Sequence, residues 1–177
     1  MSSLPDVVAL SSGLLIGRLV LGLLMVGHGT QKAFGWLGGH GLNGTGGFFE
    51  SLGFRPGRGF AAAAALSEIT GGLLLALGFL GPVGPALIIS VMIVAAVSVH
   101  WKHGIYASTG GIEVPLLYAT MALTVALAGP GLYSLDAALG LTPLWSPRLV
   151  LAVIALGVGG SVVNLGLRRT APQAAVV

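Results

Sequence analysis

Two residues of opposite charge stand inside otherwise apolar stretches: Arg18 within residues 7–27 and Glu68 within residues 60–80. An ionisable side chain in such a place is costly in lipid and points to a function or to a specific partner. At helical rise, Arg18 lies ~15 Å before His28 and Glu68 ~12 Å after Phe60. Matching depth from one end on adjacent segments predicts an Arg18–Glu68 ion pair. Nearer that end stand His28, Gln31, Lys32, His100, His103 and Glu113, with Trp36 and Trp101 beside them. Of these, His28, Gln31, Trp36, Glu68, His100 and Glu113 form a candidate pocket for a quinone headgroup. Imidazole and amide groups would hydrogen-bond the quinone oxygens, Glu68 or Glu113 would exchange protons, and aromatic rings would pack on the quinone ring.

Each of these groups also has a plainer use. A buried Arg–Glu pair can simply fix helix register, because a half-satisfied charge in lipid is far worse than a neutral core. His100 and His103, three apart, suit metal ligation on a helical turn. The carboxylates are too scattered to complete such a set, and no metal is expected. Lys32 can anchor a helix end by snorkelling, and Glu113 can sit at a helix N-terminus, where the dipole favours negative charge. The absence of Cys removes disulfides, CxxC redox chemistry and thiolate metal sites. Gly39 to Gly44 spells GxGxxG, but no βαβ unit surrounds it, so a dinucleotide site is not expected.

The elements that must position these groups are membrane helices. Of 177 residues, 55% are hydrophobic and 7% charged, against about 25% charged in soluble domains. That composition excludes a soluble enzyme or a disordered tail, and no basic cluster interleaved with aromatics exists for nucleic acid. The expected fold class is all-α, a polytopic transmembrane bundle forming one domain over residues 1–177. A span needs about 20 apolar residues, and the candidates are residues 7–27, 60–80, 83–100, 112–128 and 149–167, with four spans as the alternative. Lys32, Arg55, Arg58, Lys102, Arg168 and Arg169 fall on one side and Arg148 on the other. Positive charge marks the cytoplasmic side, which places the N-terminus outside and the C-terminus in the cytoplasm.

Residues 28–59 are rich in Gly and aromatics, which predicts a folded interfacial or re-entrant cytoplasmic segment. Thr45 is a candidate cap for a short helix ending near Gly53. On the same side, Asn43-Gly44-Thr45 would be a silent glycosylation sequon. Small residues such as Gly13 with Gly17, Gly71-Gly72 and Gly157 with Gly159-Gly160 suit close helix packing, within the bundle or in a homo-oligomer.

The run HGTQKAFGWLGGHGLNGTGGFFESLGFRPG, residues 28 to 57, resembles the signature of the DoxX family of small bacterial and archaeal membrane proteins. Arg18-Leu19, Glu68 with Gly71-Gly72, His100, and Gly110-Gly111 with Glu113 fit the same pattern, over about residues 13 to 131. The resemblance implies a four-helix core, to which residues 149–167 add a fifth helix, in a bacterial cytoplasmic (inner) membrane. It also implies association with redox complexes, such as a thiosulfate:quinone oxidoreductase, and it brings no agreed catalytic residues.

Two functions follow as expectations. One is a subunit of a quinone-linked electron-transfer complex, binding a quinone on the cytoplasmic side. The other is a non-catalytic accessory subunit that stabilises a larger respiratory or photosynthetic assembly. A small-molecule transporter comes third, since no repeat is visible.

Overall fold

The first helix starts where its end groups are satisfied. Ser3 accepts from the Asp6 backbone N–H, the Asp6 carboxylate accepts from that of Ser3, and Pro5 occupies the first turn. From there α1 (Leu4–Phe34) runs 31 residues and stops at Gly35, whose φ of 74° suits glycine. The computed structural model describes residues 3–169. After α1 come α2 (Gly41–Ser51), α3 (Gly57–Leu77) and α4 (Val83–Ala95). The chain then passes through a π-helical turn, Ala96–His100, and a 3₁₀ turn, Trp101–His103. The remaining α-helices are α5 (Glu113–Ala128), the single turn α6 (Leu135–Ala138) and α7 (Pro147–Gly166). No strand occurs among the described residues, and the fold is an all-α polytopic bundle.

Helices α1, α3, α4 and α5 pack on one another in that order, and α1 also touches α5, which closes a four-helix core. Leu14, Leu21, Met25, Leu75, Ile88, Ile89, Met92, Ala122 and Val125 fill it. Helix α7 leans on the outside of α4, and α2 lies against α3. By length and apolar composition, α1, α3, the α4 segment Val83–His103 and α7 can each cross a membrane. Helix α5 is apolar but has 16 residues.

The α1–α3 seam sets the geometry of the whole site. A Cβ on Gly22 would stand 2.6 Å from the Gly72 carbonyl oxygen, and one on Gly72 2.5 Å from that of Gly22. Gly29 meets Ala65 and Ile69 as closely. Small residues let the two backbones touch, and these contacts fix a register in which residue 18 stands beside 78 and residue 28 beside 68.

Two local expectations change. Residues 28–34 belong to α1 rather than to a loop, because Gly35 is the first residue to leave helical geometry. Thr45 is no cap: α2 starts at Gly41, with His40 before it, and Thr45 is buried inside the helix.

Gly72→Val is expected to cost about 1–3 kcal/mol by overpacking the α1–α3 contact, lowering the thermal unfolding midpoint of detergent-purified protein. Gly159→Ala, where an added Cβ meets nothing within 4 Å, should leave the midpoint unchanged.

Candidate functional site

Glu68 lies mid-way along α3 and is 2% exposed. Its partner is Lys32 on the last turn of α1: Nζ donates to Oε1 at 2.8 Å and to Oε2 at 2.7 Å. The expected Arg18–Glu68 pair does not form. The glycine register puts Glu68 at the level of residue 28, about ten residues of helix from Arg18, or ~15 Å. Counting depth from His28 misplaced Arg18, because α1 continues to Phe34 and carries Lys32 within reach instead.

Arg18 is fully buried at the other end of the bundle. One Nη donates to the Tyr133 carbonyl, while Nε and the other Nη have no protein partner. Asp136, also fully buried, accepts from the backbone N–H groups of Leu80 (2.9 Å) and Gly81 (2.7 Å) and from Trp145 Nε1 (2.8 Å). The carboxylate thus ties the α3–α4 turn, α6 and the start of α7 into one cluster. Gly78, at φ 62°, leaves the space that the Arg18 guanidinium fills.

Beside the Lys32–Glu68 pair lies a partly open cavity of about 270 Å³, lined by Lys32 of α1 and by α2, α3, α4 with its π turn, and α7. Phe48, Phe49, Phe54 and Phe60 line one part of it, and Ser67, Ser90, Ser98, His100 and Asn164 add polar groups. Two of those groups are buried without any protein partner, Ser98 Oγ and Asn164 Oδ1. Buried polar atoms are nearly always hydrogen-bonded, so an unpaired hydroxyl and amide in one cavity mark a place where a bound molecule can supply the missing partners. Ser98 belongs to the π-helical turn, and such turns are frequent at functional sites. His100 Nδ1 pairs with the Gly110 carbonyl at 2.6 Å. A carbonyl only accepts, so Nδ1 carries the hydrogen, and in the neutral ring Nε2 is left as an acceptor.

Of the six residues expected to form one quinone pocket, Glu68 and His100 line this cavity. His28 and Gln31 pair with each other at 3.3 Å and border a shallow apolar hollow on α1 with Leu37. Trp36 is exposed and packs on Phe34, ring centroids 5.0 Å apart. Glu113 accepts from the Ala107 N–H at 2.7 Å and fastens the loop before α5. The six are therefore not one pocket, because α1 extends past His28 and turns that part of the segment away from α4. Lys32, Ser98 and Asn164 were not expected to meet here. A polar residue in an apolar helix is the only sequence signal that Ser98 and Asn164 offer, and it does not say which way they face. Among the described residues, no group of His, Asp and Glu is arranged to hold a metal ion.

The fold and this cavity define a small polytopic membrane protein with an internal polar-apolar pocket at one end of its bundle. The family model described as DoxX matches residues 13–101, and the chain belongs to the DoxX family. The match covers α1 from Gly13 onward, all of α2 to α4, the Lys32–Glu68 pair and the π turn. It stops before Gly110, Gly111 and Glu113, which the resemblance had included, and Asn164 also lies outside it. No curated protein and no solved structure matches the chain.

Lys32→Met is expected to destabilise the protein by about 3 kcal/mol, since it strands a buried carboxylate. Glu68→Gln should cost less, because the Lys32 side chain is 25% exposed and can turn outward. The Lys32→Met/Glu68→Met double variant should recover most of the loss, as a double-mutant cycle on thermal stability in detergent would show.

Proposed function

We propose that this DoxX-family protein binds a quinone headgroup in the cavity beside Lys32 and Glu68, as a subunit of a membrane redox assembly. The observation that carries this reading is the pair of unpartnered buried groups, Ser98 Oγ and Asn164 Oδ1, in a cavity whose apolar wall includes Phe48, Phe49, Phe54 and Phe60. A quinone has the matching chemistry: a flat apolar ring that packs on aromatic side chains, with oxygens at its edge. Ser98 Oγ–H can donate to a quinone carbonyl. Asn164 Oδ1 and His100 Nε2 can accept from the hydroxyls of the quinol.

Reduction of a quinone takes two electrons and two protons. Lys32, Glu68 and His100 are proton-exchanging groups on the cavity wall. Without Cys the chain has no thiol to supply electrons, so in this reading they come from a redox centre in a neighbouring subunit. The long exposed flank of α7, including Leu156, Val162 and Val163, is available to such a subunit or to lipid. The protein's own part is to bind and orient the headgroup rather than to catalyse alone.

The same reading takes residues 1–177 as one transmembrane domain, with α5 as a fifth span in addition to the four long helices. The cavity end carries Lys32, Arg55, Arg58, Lys102, Arg168 and Arg169. Positive charge favours the cytoplasmic face of a bacterial inner membrane, with the N-terminus outside.

A short-chain ubiquinone or menaquinone analogue should bind the purified protein in nanodiscs with saturation. Ser98→Leu, which fills the cavity, should weaken that binding at least tenfold, while Gln31→Ala on the α1 hollow leaves it unchanged. Saturable binding indifferent to Ser98→Leu, in a variant with native thermal stability, would contradict the proposal.

A further inference from the structure

Four of the arginines converge on one small surface from opposite ends of the sequence. Arg55 and Arg58 lie on the turn into α3. Arg168 and Arg169 follow α7 and are held against that turn: the Arg169 N–H donates to the Gly53 carbonyl at 2.8 Å, and Arg168 Nε donates to the Leu52 carbonyl at 3.0 Å. Arg168 also lies over the Phe54 ring, 5.5 Å from its centroid. Arg55, Arg58 and Arg169 are exposed and Arg168 is half-buried. Among the described residues, none of the four forms a salt bridge, the ion pair present being Lys32–Glu68. The nearest acid along the chain, Glu50, turns to the Gly57 N–H at 3.1 Å.

Placing four like charges together costs free energy that no ion pair among the described residues compensates. Scattered arginines would orient the chain across a membrane equally well, so orientation alone does not account for gathering them by one backbone and one side-chain hydrogen bond to the α2–α3 turn. We infer that the cluster is a binding site for the headgroup of an anionic phospholipid that carries two phosphates. Guanidinium forks match phosphate oxygens bidentately, and basic pockets between helix ends at the membrane boundary recognise headgroups of this kind. With Glu50 counted, the surface carries a surplus of three positive charges. A single phosphodiester would neutralise one of them and a paired phosphodiester two. The floor under the arginines is Phe54, in contact with Phe49 and Phe60 at centroid distances of 5.9 and 5.2 Å. Phe54 is itself buried, so this aromatic cluster holds the Arg168 guanidinium in place at the surface. Because the site joins the α2–α3 turn to the end of α7, a bound lipid would also clamp α7 onto the core.

The test is native mass spectrometry of the intact chain after exchange into phosphatidylcholine nanodiscs doped with cardiolipin, or with phosphatidylglycerol at equal total charge. Wild type is expected to retain cardiolipin in preference to phosphatidylglycerol. The Arg55→Gln/Arg58→Gln variant, altered at exposed positions only, should retain it about thirtyfold more weakly, given roughly one kcal/mol for each arginine near the surface. Lys102→Gln/Arg148→Gln removes as much charge elsewhere and should bind as wild type does. Equal retention of the two lipids, or an equal loss in both double variants, would overturn the inference. So would release by Arg55→Gln/Arg58→Gln of an acidic protein partner with no change in lipid.

Discussion

A carboxylate at the middle of a membrane helix must be neutralised by something within reach, and the bundle is arranged around that need. Glu68 is buried on α3, and the cation that meets it arrives from the far end of α1. For Lys32 to reach it, α1 must remain helical well past His28, and the α1–α3 seam must bring the two backbones together. The glycines at 22, 29 and 72 permit that approach. The ion pair then stands on the wall of the cavity between α2, α3, α4 and α7, so the same contact that satisfies the charge places polar chemistry at an apolar pocket.

The opposite end of the bundle solves a similar problem differently. Arg18 and Asp136 are both fully buried, yet each is bonded chiefly to backbone or to Trp145 rather than to the other. Asp136 supplies acceptors to two N–H groups of the α3–α4 turn, where no helix can satisfy them. That end is consequently stapled shut by one carboxylate. At the cavity end, Ser98 and Asn164 remain unpaired. Unpaired buried atoms occur at both ends, since Arg18 Nε and one Nη also lack a protein partner, but Ser98 and Asn164 are the ones that line a cavity beside a proton-bearing pair.

Much of the architecture was legible because composition and run length carry it. Thirteen charged residues in 177, set between long apolar runs, leave little besides a membrane bundle, and apart from the end of α1 the long helices start and stop within a few residues of the expected places. Caps at Ser3 and Ser146 and the glycine stops at Gly35 and Gly78 are local signals that the expected segments did not use. The site was less legible, since it depends on register. Moving the end of α1 from Gly27 to Phe34 exchanges Arg18 for Lys32 as the partner of Glu68, and carries His28 and Gln31 to another face. No sequence pattern announces the π turn that holds Ser98, and Asn164 joins the cavity only because α7 packs on α4. The role of Asp136 lies in backbone N–H groups that sequence does not display.

The central claim is that the cavity beside Lys32 and Glu68, and not the hollow on α1, receives a quinone-like ring. Photoaffinity labelling with an azido-quinone in nanodiscs, followed by peptide mapping, addresses it directly. Adducts should fall on residues 48–68 of α2 and α3, on 90–100 through the π turn, and around Asn164, and should be competed away by unlabelled quinone. Competable adducts confined to residues 20–37 of α1, or labelling that unlabelled quinone does not displace, would contradict the account.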